Sequence, residues 1–233
     1  MVTENVTTKF LGMYEMAEAA RYLHVTAPRR PPNYSAVRRW IRSGLPDPDT
    51  TSKSASDLVL NFEDLISLRM VVALRIAGFS LQHIRRVHKE LRRITGYPHP
   101  FAIKDLWVSD TDIFIEMDGW LSATKRGIYA MEFVKDWLRE IKRPIDESLD
   151  IGFKRTNGHE VAVDWSPYEH VLLNPLVQFG SPCIAGTRIP TGTIWDMYCA
   201  GDKIQAIAAN YKVAVSQIES AVKWEKELAN VTA

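Results

Sequence analysis

Residues 14–48 read YEMAEAARYLHVTAPRRPPNYSAVRRWIRSGLPDP, and they decide how the first part of the chain is built. Met16, Ala19, Ala20 and Leu23 recur at helical spacing, which predicts a helix over Tyr14 to Leu23 with one apolar face. Pro28, Pro31 and Pro32 forbid its continuation, because proline has no amide hydrogen and its ring clashes with the preceding turn. Asn33 or Ser35 can cap a second helix whose inward residues are Val37, Trp40 and Ile41. Arg38, Arg39 and Arg42 then fall on the opposite side. Gly44 ends this helix, and Pro46 and Pro48 prevent a restart. A short helix, a turn and an arginine-bearing helix suit docking in a DNA major groove. Arginine there bridges phosphates or binds guanine bidentately. The expected DNA contacts are Arg38, Arg39 and Arg42, with Arg29 and Arg30 in the turn and Tyr34 and Ser35 at the helix start.

Charge supports that placement. The net charge of +1 over 233 residues hides a split. Lys9 to Thr95 holds 15 basic and 8 acidic residues, Gly96 to Asn174 holds 9 and 14, and Pro175 to the end holds 5 of each, with Glu4 the one charge before Lys9. A basic segment attracts phosphate, and an acidic one repels it. The length allows one or two domains and a small third. Apolar residues at 46% and charged residues at 24% are those of a globular protein. No apolar run reaches the ~18–20 residues of a membrane span. The first ten residues lack the basic-then-apolar order of a signal peptide. Two cysteines give no disulfide framework. A cytoplasmic, reduced protein without membrane contact is expected.

Leu45 to Phe62 is polar and turn-rich, then β-branched at Val59, which suits a two-stranded wing. Asn61 can cap a helix to Ala77, with Leu65, Leu68, Val72 and Ile76 inward, and Gly78 ends it. Ser80 caps the next, with Leu81, Ile84, Val87 and Leu91 inward and Arg85, Arg86, Lys89, Arg92 and Arg93 on other faces. On the words YEMAEAARYL, VRRWIRSGLPDP and LNFEDLISLRMVVALRIAGFSLQHI, residues 10 to 95 resemble the MerR-type winged-helix family. The resemblance implies DNA binding and makes Lys53 the stand-in for the wing's phosphate contact. The fourth helix stops at Gly96-Tyr97-Pro98-His99-Pro100, so neither an effector pocket nor the family's usual dimer helix is carried over.

The acidic middle reads as strands at Asp105 to Ser109, Ile113 to Met117 and Trp120 to Ala123, with a hairpin turn at Asp118-Gly119. A helix is predicted from about Gly127 to Ile141, with Ile128, Met131, Val134 and Leu138 on one side. Leu149 to Arg155 and Glu160 to Trp165 flank the turn pair Asn157-Gly158, and His170 to Leu173 can add a strand. Asp110, Asp112, Glu116 and Asp118 lack the glycine and terminal glutamate of a calcium loop. The scattered histidines give no metal set. No catalytic residue, metal or cofactor is expected, and an enzyme is not the expectation.

The last part opens with NPLVQFGSPCIAGTRIP at 174–190, a low-charge loop whose glycines and prolines set turns. Three short helices follow: Thr193 to Ala200, Ile204 to Tyr211 and Gln217 to Leu228. Their inward residues are Ile194, Met197 and Tyr198, then Ile218, Ala221, Val222 and Leu228. Asp202 with Gln205 and Ser216 with Glu219 read as capping boxes for the last two. Cys183 and Cys199 read as core packing.

Gly180, Pro182, Ile184, Gly186, Thr187, Arg188, Ile189 and Pro190 resemble the signature of a small antitoxin-associated domain family of unknown function. With the MerR-like first part, the whole chain resembles the larger VapB-type antitoxins of type II toxin–antitoxin pairs. That resemblance implies a protein that neutralises a PIN-like ribonuclease toxin and represses its own operon. Gly186, Thr187, Arg188 and Trp195 are then candidate toxin contacts. The same Gly-Thr-Arg-Ile-Pro words read equally as a structural turn whose arginine binds carbonyls.

The expected fold is α+β: a MerR-like winged helix-turn-helix at 1–95, a strand-rich α+β middle unit at 96–173 and a three-helix domain at 174–233. The expected partners are operator DNA, the cognate toxin and a second copy of the chain. The charge split places neutralisation within residues 96–233. The other reading is a MerR-like, ligand-responsive regulator with no toxin partner.

Overall fold

The protein is described by a computed structural model over residues 12–46, 59–104, 106–108, 113–116, 120–122, 128–129, 150–156 and 158–231. Helices and antiparallel sheets coexist in it, so the fold is α+β. The chain forms two compact units, each assembled from separated stretches. One comprises Met1–Ser35, Thr50–Phe62 and Val163–Ala233; the other comprises Ala36–Asp49 and Glu63–Ala162.

In the first unit, β1 (Tyr14–Glu15) leads into α1 (Met16–Val25). The Glu15 amide donates to the Glu18 carboxylate at 3.3 Å, which fixes the helix start two residues later than the apolar spacing alone suggests. Met16, Ala19, Ala20 and Leu23 are buried as their spacing predicts, and Tyr22 joins them. The two-stranded wing expected in Leu45 to Phe62 takes a different form in its described part. There β2 (Val59–Leu60) pairs antiparallel with β1, Tyr14 opposite Leu60. A partner from the start of the first helix satisfies its backbone groups.

The same unit holds the part of β8 (His159–Tyr168) from Val163 on, β9 (Val171–Leu173) and β10 (Cys183–Ile184), joined antiparallel with Trp165 opposite Leu173 and Ile184 opposite Val171. Helices α5 (Thr191–Cys199), α6 (Ile204–Tyr211) and α7 (Val215–Asn230) follow. Ile184, Ile194, Ile207, Ala208, Ile218, Ala221 and Val222 form their common core. Three expectations need correction here. Tyr198, in the last turn of α5, is 41% exposed. The third helix starts at Val215, where the Gln217 side chain accepts from the Ala214 amide at 3.1 Å, so Ser216 is inside the helix and not its cap. Lys203, not Asp202, takes the cap position of α6.

Helix α7 has a second buried side. Trp224 is fully buried, with its ring 5.7 Å from Tyr22 of α1 and 6.1 Å from Tyr168. Tyr22 in turn meets Tyr14 edge-on at 6.4 Å. Helices α1 and α7 therefore share one aromatic core.

Helix α2 (Tyr34–Arg42) lies mostly in the second unit and buries Val37, Trp40 and Ile41 as predicted. There α3 (Phe62–Ile76) buries Leu65, Ile66, Leu68, Met70, Val71, Val72 and Leu74, a helix enclosed on nearly all sides. Ile76, expected inward, is exposed at its end. Gly78 has a φ of 100°, which breaks the chain before α4 (Leu81–Thr95). The Ser80 hydroxyl accepts from the His83 amide at 3.2 Å, and Gly96 closes α4 in the left-handed conformation.

The middle strands β3 (Leu106–Val108), β4 (Ile113–Glu116), β5 (Trp120–Ser122) and β6 (Ile128–Tyr129) form an antiparallel meander in chain order. The helix expected from Gly127 is corrected at its start: Ile128 and Tyr129 pair with Ser122 and Leu121. Helical spacing was outweighed by a partner strand that no local pattern announces. The rest of that helix, the Asp118-Gly119 turn, Asp110, Asp112 and Lys53 lie outside the described residues. Strand β7 (Ile151–Thr156) returns as β8 (His159–Tyr168) through Gly158, whose φ is 87°. Among the described residues, no helix is long and apolar enough to cross a membrane.

Candidate functional site

Three surfaces carry chemistry. The first is the outer face of α2. Ser35, Arg39 and Arg42 are exposed at spacings of four and three, one stripe along the helix. Arg38 differs from its neighbours: it is half-buried and its Nε is shielded from solvent, as befits a flank position one turn from Tyr34. Tyr34 is half-buried too. Arg29 and Arg30 are exposed in the preceding turn, where the Arg30 amide donates to the Ala27 carbonyl at 3.0 Å. His24 Nδ1 lies 3.1 Å from the Pro32 carbonyl and ties the end of α1 to this turn.

A second basic surface lies on α4. Arg85, Lys89 and Arg92 are exposed at spacings of four and three, with Arg86 and Arg93 beside them. Arg93 pairs with Glu90 at 2.6 Å and Arg86 lies 3.3 Å from His83 Nδ1. The periodicity of these residues was visible in the sequence, but they were not among the expected contacts.

The third surface is the loop before α5. Ile184 and Ile189 close its tip, the Ile184 amide donating to the Ile189 carbonyl at 2.9 Å. Gly186, Thr187 and Arg188 occupy that tip together, with Gly186 at a φ of 79°. Thr187 braces it: its hydroxyl donates to the Ile184 carbonyl at 2.8 Å and accepts from the Ile189 amide at 3.1 Å. The Gln178 side-chain amide holds the Arg188 carbonyl at 3.2 Å. Arg188 itself is exposed, and among the described residues its guanidinium makes no hydrogen bond or ion pair. The bracing expected of the arginine falls to Thr187 and Gln178. Trp195 is half-buried against the three-helix core, 6.0 Å from Tyr198, and belongs to the helices more than to the tip.

The base of this loop is fixed from β1 and the residue before it. The Met13 amide donates to the Phe179 carbonyl at 3.0 Å, and the Tyr14 hydroxyl donates to the Gly180 carbonyl at 3.0 Å. Gly180 has a φ of 90°, and a Cβ there would stand 2.2 Å from the Tyr14 hydroxyl. Leu176 and Phe179 are exposed, and no spacing rule marks either; at Phe179 the backbone is left-handed, with a φ of 55°.

Among the described residues, the clearest cluster of titratable groups joins Glu63, Asp64, Tyr97 and His99. Glu63 accepts from the Tyr97 hydroxyl at 2.6 Å, and His99 lies 3.6 Å from Glu63 and 3.5 Å from Asp64. Burial holds the Glu63 carboxyl above its usual range, with the Tyr97 hydrogen bond opposing. Burial pushes Arg69 down to about 10, against the pull of Asp150. Among the described residues, no three His, Cys, Asp or Glu side chains converge as metal ligands. Cys183 is buried and burial raises its thiol, whereas Cys199 is exposed at the end of α5 and is not core packing.

Comparison with known proteins follows the same lines. The family described as "Protein of unknown function (DUF433)" matches residues 171–224, a stretch that runs from β9 through the Gly180–Pro190 loop into α7. A Mycobacterium tuberculosis protein named "Putative antitoxin VapB45" is 26% identical over 235 residues, covering 90% of this chain and 92% of that relative. The crystal structure of Rv2018 from Mycobacterium tuberculosis is similar with a TM-score of 0.58 at 20% identity, over 90% of this chain and 96% of that one. The chain thus shares its fold, over nearly its full length, with Rv2018.

Proposed function

We propose that this chain is the antitoxin of a toxin–antitoxin pair, which binds and neutralises a PIN-like ribonuclease toxin and represses its own operon. One observation carries the reading: the similarity to a relative with an antitoxin's name extends over 90% of this chain and 92% of that relative. A shared single domain would not produce coverage of that extent.

The geometry supports the division of labour. Repression is assigned to α2, where Ser35, Arg39 and Arg42 form an exposed stripe for the major groove, with Arg29, Arg30, Tyr34 and Arg38 as flanking contacts. Lys53 remains part of this proposal as a wing contact. Operators are read by pairs of such helices, so the repressing species is a homodimer. Neutralisation is assigned to the three-helix end of the chain, with Gly186, Thr187 and Arg188 at its loop tip. An exposed, unpaired guanidinium can make charge-assisted hydrogen bonds to a toxin carboxylate.

The test is co-expression of the full chain with the product of the adjacent reading frame. Growth should be lost with that product alone and restored by the chain, and a reporter behind their shared promoter should fall silent. A harmless neighbour, or toxicity that the folded, abundant chain does not relieve, would overturn the reading.

A further inference from the structure

Asn174 to Pro190 contains one charged residue, Arg188. Yet the loop exposes Leu176 by 73% and Phe179 by 75%, and no large apolar side chain among the described residues is more exposed. The backbone holds Phe179 out. Gln178 and Phe179 have φ values of 49° and 55°, two consecutive side-chain-bearing residues in the left-handed region. That region is disfavoured for any residue with a Cβ, and such outliers persist only where the surroundings enforce them. Here the enforcement is visible. Phe179 accepts from the Met13 amide, Gly180 from the Tyr14 hydroxyl, and Gln178 from the Ser181 amide at 3.1 Å. The Gln178 side chain also grips the Arg188 carbonyl, so the apolar tip and the arginine turn are one fixed body. Met13, bonded to Phe179 and 54% exposed, extends the apolar surface.

Met, Phe and Arg, with little other charge, are the residues that concentrate at the centres of protein interfaces. A polyanion site would instead gather basic residues, and this loop has a single one. We propose that Met13, Leu176, Phe179 and Arg188 form a docking surface for the toxin, whose matching site is an apolar pocket bordered by a carboxylate. Leu176 and Phe179 fill the pocket, and Arg188 meets the acid at its rim. Charge complementarity selects a different protein over a second copy. A two-fold contact sets a patch against itself, and this patch offers Arg188 no carboxylate. The identity of the partner rests on the antitoxin reading; the surface rests on the loop.

The experiment uses the full chain and the purified product of the adjacent reading frame, with affinity measured by surface plasmon resonance. Phe179→Asn suits the site, because asparagine tolerates the left-handed conformation. Phe179→Asn, Leu176→Ser and Arg188→Glu should each weaken binding about 30-fold or more. The exposed Glu219→Ala on α7 should bind as the wild type does. Melting curves should coincide for all variants; if Phe179→Asn does not fold, the other two decide. Wild-type affinity in folded Leu176→Ser and Arg188→Glu would overturn the docking surface while leaving the antitoxin reading intact. No binding by the wild type would overturn both. A wild-type dimer that Leu176→Ser converts to a monomer in light scattering would make a second copy the occupant and overturn the proposal.

Discussion

Helix α2 and the Asn174–Pro190 loop both hold arginine in water, by opposite means. On α2 the helix sets Arg39 and Arg42 in one exposed stripe with Ser35, at spacings of four and three. In the loop one arginine stands among apolar residues on a backbone fixed by turns and by Tyr14 of β1. A regular array of like charges matches a polyanion, whose phosphates are evenly spaced. A single charge beside exposed Leu176 and Phe179 matches one pocket and no other. Function in the first case needs only a helix, and in the second needs a tertiary brace.

The largest expected effect comes from cutting the brace away. Residues 96–233 include the loop and its three helices but omit α1, so Trp224 loses Tyr22 and Gly180 loses Tyr14. This fragment should show no cooperative thermal transition by circular dichroism. A melt like that of the full chain would show the loop to be self-sufficient and would restore the simple charge-based partition of neutralisation to 96–233.

Next comes Gly180→Ala. The added Cβ would overlap the Tyr14 hydroxyl and stand 2.8 Å from its ring carbon Cζ, at a φ of 90°. A loss of about 3 kcal/mol is expected by urea denaturation, from overpacking and backbone strain together. Gly186→Ala has the same handedness but open space around it, and should cost only about 1 kcal/mol. Equal costs would place the brace elsewhere.

A smaller effect is expected on α2. The double variant Arg39→Ala with Arg42→Ala should melt unchanged, since both side chains are exposed. Two lost phosphate contacts should lower the salt slope of operator binding by about 1.8. An unchanged slope in a gel-shift titration would remove α2 from the groove and turn attention to Arg85, Lys89 and Arg92 on α4.

The smallest effect is a pH dependence beneath the loop. Burial holds the Glu225 carboxyl above its usual range, while the Thr191 hydroxyl and Arg21 oppose that shift. Its neutral form is favoured on folding. That contribution is complete below the ordinary glutamate range and is lost as pH rises through the raised folded value. Glu225→Gln keeps an acceptor for Thr191 and should flatten this decline on the alkaline side of the ordinary glutamate range. Parallel stability curves for variant and wild type would show the carboxyl to be solvated.

Elements whose signals lie within a few residues were legible in the sequence. The inward faces of α1, α2 and α7, the Ser80 cap, the Gly96 stop and the Gly158 hairpin all follow from helical spacing, a side-chain cap or a tolerated left-handed turn. The arginine stripe of α2 was legible for the same reason. The remainder depends on partners remote in sequence. Ile128 and Tyr129 are strand because β5 is beside them, and Val59 and Leu60 are strand because Tyr14 and Glu15 are. Cys183 and Cys199 are alike in sequence and differ in burial. The Tyr14–Gly180 bond spans 166 residues, and with Met13 it decides that Phe179 faces water. Periodicity records only which side of an element is apolar; which surface covers that side, and which side chain is turned out, is set by contacts that form after the chain has closed on itself.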